Sequence, residues 1–147
     1  MIESGPAAEG RRWEHFAHGA DIGVRGYGDT PAQAFESAAL ALTAVVTSPA
    51  AVQARDTVNI RCQAPTLDFL LLDWLNALIY EMATRHMLFG DFRVAIDGEH
   101  LRGVALGETV DPGRHRPAVE IKGATLTELK VDQQADGRWL AQCVVDV

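Results

Sequence analysis

Phe92-Arg93-Val94-Ala95-Ile96-Asp97-Gly98-Glu99-His100-Leu101 is the stretch on which the fold class turns. Phe92, Val94 and Ile96 alternate with Asp91, Arg93 and Asp97, the period of a strand with one buried face. Asp97-Gly98 is a short turn into a second strand, around Leu101 to Glu108. Strands joined so tightly run antiparallel, because a parallel pair needs a crossover of about a dozen residues or more.

Outward from that hairpin, the same two periods account for the rest of the chain. Upstream, Pro65-Thr66 opens a helix in which Leu67, Leu70, Leu71, Trp74, Leu75, Leu78, Ile79 and Met82 form a broad apolar stripe. Before it, Val58, Ile60 and Cys62 alternate with Thr57, Asn59 and Arg61 as a further strand. Thr30-Pro31-Ala32-Gln33 starts an earlier helix, with Thr as N-cap, Pro at the first helical position and Gln able to close a capping box. Phe35, Ala38, Ala39, Leu42, Val45 and Val46 continue it, and Ser48-Pro49 stops it.

Residues 13–28 read as extended, Ile22 and Val24 alternating with Gly23 and Arg25 until Gly26 and Gly28 break the pattern. Downstream lie a turn-rich loop from Val110 to Pro117 and strands near Val119 to Gly123 and Leu126 to Asp132. The Asp136-Gly137 turn then leads into a last strand from Trp139 to Val145. Two main helices and roughly seven strands, mostly hairpin-connected, predict an α+β fold: one domain with its helices packed on an antiparallel or mixed sheet.

Composition narrows the function. The 147 residues suit one domain with a sizeable core. No segment approaches the roughly 20 uninterrupted apolar residues of a membrane span. Residues 1–12 lack the apolar core of a secretory signal and read as a flexible leader to a domain over 13–147, with a cytoplasmic location expected. Cys62 and Cys143 stand alone, as small buried apolar residues in a reducing compartment. A net charge of −7 repels phosphate backbones, so strong direct nucleic-acid binding is not expected, despite a local basic patch at Arg114, His115, Arg116 and Lys122. The charge favours a protein or metal partner.

Two groups of residues carry chemistry. Trp13-Glu14-His15-Phe16-Ala17-His18-Gly19-Ala20-Asp21 sets two imidazoles and two carboxylates within nine residues, and Gly19 suggests a bend or bulge between His18 and Asp21. At the other end, Asp146 and Val147 close the last strand with a carboxylate beside a main-chain terminal oxygen. If the first and last strands are neighbours, Asp21 meets Asp146 and Val147 in one oxygen-rich site. Hard oxygen donors favour calcium or magnesium over zinc. Gly107-Glu108, Asp111, His115, Glu120 and Lys122 form a second polar cluster. Glu120 and Lys122 share a face of the expected strand and read most simply as a surface ion pair. His115 reads as a solvent-exposed loop residue or a general acid–base. Asp73 and Asn76 lie on the polar margin of the second helix, with Trp74 and Leu75 buried.

These motifs, in this order, resemble the archease family, small proteins that assist the RtcB-type RNA ligase. The resemblance rests on Trp13-Glu14-His15, His18-Gly19-Ala20-Asp21, Asp73-Trp74-Leu75-Asn76 and Gly107-Glu108 leading into Asp111-Pro112 and His115. It continues through Glu120-Ile121-Lys122, Ala124-Thr125, Leu129-Lys130-Val131 and Asp146-Val147, and covers residues 13–147. Gly19 stands where the family usually has Thr, which removes a hydroxyl beside the site.

The resemblance implies a non-enzymatic cofactor that promotes guanylylation and multiple turnover of the ligase in tRNA splicing and RNA repair. It also implies a divalent metal, calcium in the family with magnesium or manganese as alternatives, held by Asp21, Asp146 and Val147. His18, His115, Glu120 and Lys122 are then candidate contacts to the partner or its nucleotide. The alternative from the residues themselves is a free-standing metal-dependent phosphohydrolase using His18, Asp21 and His115; a chaperone-like binding module is a third.

Overall fold

The computed structural model describes residues 12–147. The expected leader lies outside them except for Arg12, which opens the first strand. Among the described residues there are eight strands: β1 (Arg12–His18), β2 (Asp21–Gly28), β3 (Asp56–Gln63), β4 (Met87–Asp97), β5 (His100–Thr109), β6 (Gly123–Ala124), β7 (Lys130–Gln133) and β8 (Trp139–Asp146). Two long helices, α1 (Pro31–Val46) and α2 (Leu67–Arg85), are joined by a one-turn α3 (Pro112–His115) and a 3-10 turn over Pro49–Ala51.

Instead of one sheet there are two, both wholly antiparallel. The larger runs β1-β2-β8-β6, with β7 also paired to β8; the smaller runs β3-β5-β4. Each helix packs against both sheets, α1 on β2 and β4, α2 on β3 and β6. Trp74, Phe35, Phe89, Phe92 and Leu42 fill the space between. A Cβ at Gly26 would lie 2.2 Å from the main-chain nitrogen of Ala38, so the helix rests directly on the strand backbone. β2 therefore runs through Gly26, which admits α1 instead of breaking the strand, and ends at Gly28.

Local signals explain the helix boundaries. The Thr30 hydroxyl accepts from the Gln33 amide at 3.2 Å, and the Gln33 side chain reaches back to the Asp29 N–H at 2.9 Å. Thr66 caps α2 in the same way, accepting from Phe69 N–H at 3.3 Å. His86, at φ 54°, closes α2 in the left-handed conformation.

Three expectations need correction. Residues 13–28 are a hairpin, β1 and β2 about a Gly19-Ala20 turn, rather than one extended run. Residues 116–122 are irregular, so the strand expected near Val119 shrinks to the two residues of β6, and the strand expected from Leu126 begins only at Lys130. Positive φ at Arg116 (46°) and Glu128 (56°) interrupts extension at both places. The backbone there finds separate partners: Ala118 N–H donates to Val46 O at 2.8 Å, and Thr125 N–H to Val144 O at 3.0 Å.

Cys143 is buried and Cys62 half-buried, and both are free thiols. Burial pushes Cys143 up to about 12, and burial with the nearby Asp73 charge raises Cys62 to about 11, so both stay protonated as packing residues. Among the described residues no helix is long and apolar enough to cross a membrane.

Candidate functional site

The end of the larger sheet is built by three registers. Gly19, at φ 60°, takes the first turn position of the β1–β2 hairpin, where a positive φ favours glycine, and brings His18 opposite Asp21. β2 pairs with β8 from Ile22 opposite Val145 onward. One further step in that register sets Asp21 across from Asp146. On the far side of β8, Gly123 stands opposite Asp146, and Lys122 N–H donates to Asp146 O at 2.8 Å.

His18, Asp21, Asp146 and Gly123 thus form a transverse row. Directly opposed residues of antiparallel strands share a face, with Cβ atoms about 4.5–5.5 Å apart. The strand that neighbours the last strand is β2 rather than β1.

Asp21 is half-buried and Asp146 exposed, while Val147 packs against the core. His18, Glu120 and Lys122 are exposed near this end. Among the described residues neither aspartate side chain has a hydrogen-bonding or ionic partner. Like charges directly opposed in a sheet are destabilising, so this edge favours a cation. Among the described residues no group of three or more His, Cys, Asp or Glu side chains is placed to hold a metal. Two carboxylates and a main-chain oxygen of Val147 are what the edge offers.

His115 lies elsewhere. It is buried, and its Nε2 is 3.0 Å from Glu108 Oε2 while its Nδ1 accepts from the Asp111 N–H at 2.8 Å. An accepting Nδ1 assigns the ring proton to Nε2, which donates to Glu108. Glu108 is only 3% exposed. Arg114 grips it through two nitrogens at 2.9 and 2.6 Å, Gln53 N–H adds a bond at 2.7 Å, and Arg55 approaches to 3.4 Å. Those bonds, led by Arg114 and Gln53, hold the Glu108 carboxyl well below the usual glutamate range. The sequence reading grouped Glu108 with His115 but missed Gln53 and Arg55, which come from a distant segment. The readable part was Asp111-Pro112, which caps α3: Asp111 accepts from the N–H groups of Gly113 and Arg114 at 3.2 and 3.3 Å.

Glu120 does not occupy a strand with Lys122, so the shared face expected for that pair is not formed. Asn76, from the polar margin of α2, reaches the site's border by pairing with Ala124.

Residues 13–147 match the Archease protein family (MTH1598/TM1083). The chain is 43% identical to the protein archease of Pyrococcus furiosus over 141 residues, covering 93% of this chain and 99% of that one. It is 39% identical to the protein archease of Methanopyrus kandleri over 139 residues, 92% of this chain and 99% of that one. The solution structure of Methanobacterium thermoautotrophicum protein 1598 superposes with a TM-score of 0.80 at 31% identity, covering 95% of this chain and all of that one. A match from the first strand through Asp146 and Val147, joined to a shared fold, settles the lineage: the chain belongs to the archease family.

Proposed function

We propose that this protein is a non-catalytic cofactor of an RtcB-type RNA ligase in the cytoplasm, promoting the ligase's guanylylation and repeated turnover in tRNA splicing and RNA repair. The observation that carries the reading is the Asp21–Asp146 row, two carboxylates at the end of the larger sheet that have no side-chain partner among the described residues. Their hard oxygens, with Val147, fit calcium, or magnesium or manganese, and the sparse set leaves room for water or a partner's groups to complete the shell. A cation there would neutralise phosphate charge at the docked ligase site. Asp21 and Asp146 would hold it, while His18 and Lys122 flank the row as contacts for the partner or its nucleotide. The affinity comes from the protein partner, since a net charge of −7 opposes direct binding to RNA.

Single-turnover guanylylation of the cognate ligase, with and without this protein and across calcium, magnesium and manganese, tests the proposal. Metal-dependent acceleration is expected; an unchanged rate in every metal refutes it. The phosphohydrolase alternative needs His115 at a reacting phosphate, and a buried ring engaged at both nitrogens weighs against that.

A further inference from the structure

The edge strand β6 is two residues long and, among the described residues, has no strand on its outer side. Its outward main-chain groups are nevertheless satisfied. Asn76 Nδ2 donates to Ala124 O at 3.3 Å, and Ala124 N–H donates to Asn76 Oδ1 at 2.9 Å. A carboxamide carries a donor and an acceptor side by side, so it can replace the pair of bonds a neighbouring strand would make. A Cβ added at Gly123 would also lie 3.6 Å from the same Asn76 oxygen, close enough for ordinary contact. On its inner side this segment holds the end of β8, through Gly123 opposite Asp146 and Lys122 N–H bonded to Asp146 O.

We infer that Asn76 is a positioning residue for the acidic edge: its paired bonds to Ala124 fix the Lys122–Ala124 segment, and that segment fixes Asp146. The inference deepens the metal-site reading proposed above and rests on it only for the calcium measurement. A two-residue strand is too short to hold register by its own ladder, since isolated strand pairing is marginal. The side-chain clamp from α2 supplies the missing constraint, and it ties the acidic edge to a rigid core helix. Groups that orient metal ligands without touching the metal commonly change affinity by about 10- to 100-fold when removed.

The test compares Asn76→Leu, which keeps bulk and removes both bonds, with Ala77→Gly, which loosens the same helix without touching Ala124. Two quantities are read on the full chain: hydrogen–deuterium exchange at the Lys122 amide, and calcium affinity by titration calorimetry. Asn76→Leu should speed Lys122 exchange and weaken calcium binding by about 10-fold or more, with helix content retained. Ala77→Gly should change neither selectively. Unchanged Lys122 exchange in Asn76→Leu overturns the inference, as does an equal effect from Ala77→Gly. Should Asn76→Leu not fold, Asn76→Ser, which removes the paired carboxamide with a smaller side chain, carries the same comparison. A wild-type chain that binds no calcium refutes the metal reading instead, and the exchange data then decide the positioning role by themselves.

Discussion

Glu108 and the Asp21–Asp146 row confront the same problem, carboxylates set into a folded sheet, with opposite outcomes. Glu108 is sealed in and receives donors from Arg114, His115 and Gln53, with Arg55 close by. The two aspartates lie at the sheet end and, among the described residues, receive none. A buried carboxylate without donors is prohibitively unfavourable, whereas a half-exposed pair can wait in water for a cation. The contrast separates a charge that holds the fold from charges kept available for something outside it. Conserving charge type alone would not distinguish them; the partners do.

The sharpest way to break this contrast is Asp146→Ala. Stimulation of ligase guanylylation should fall to background in single-turnover assays, while thermal denaturation moves by no more than about 0.5 kcal/mol. Wild-type stimulation by the folded variant would remove the aspartate row from the mechanism.

Glu108→Gln should do the reverse. It gives the largest fall in thermal midpoint of the set, because Arg114 and His115 lose the charge they surround, and any remaining stimulation should follow the folded fraction. The same variant has a pH signature. Glu108 loses its proton more readily in the folded chain than at its ordinary value of 4.5. Its contribution is therefore fully present above that value and drains away as pH falls below it. Acid titration of stability should show a steeper loss below about pH 4.5 in wild type than in Glu108→Gln.

Calcium sharpens the comparison further. At 100 times its dissociation constant, calcium should stabilise wild type by about 2.7 kcal/mol and Asp146→Ala hardly at all, read by differential scanning calorimetry. A smaller effect than that of calcium is expected at Gly19, whose φ of 60° suits glycine. Gly19→Thr should cost about 1–2 kcal/mol in the present turn. A neutral result would show that the turn readily adopts another conformation.

Much of this was legible from the sequence because it is local. Thr30-Pro31 and Thr66 announced the helix starts, and Asp97-Gly98 the β4–β5 turn. The convergence of Asp21 with Asp146 was conditional on strand order, which alternation does not encode; the β2–β8 pairing supplied it. Gly26 misled for a related reason: a gap in the side-chain pattern looks the same whether the strand stops or a helix lies against it. The Glu108 network stayed hidden because its donors at Gln53 and Arg55 are more than fifty residues away in the chain. The 116–122 segment deceived because its main-chain N–H groups bond to separate supports, Ala118 to Val46 and Lys122 to Asp146, rather than along one ladder.

β8, the last of the eight strands to leave the ribosome, lies in the middle of the larger sheet between β2 and the β6–β7 side. During translation the β1–β2 hairpin must therefore expose an unpaired edge until β8 has emerged. Non-local pairing of this kind slows folding and lengthens exposure to aggregation. The acidic row, which depends on that same final insertion, would consequently be assembled only in chains that have finished folding.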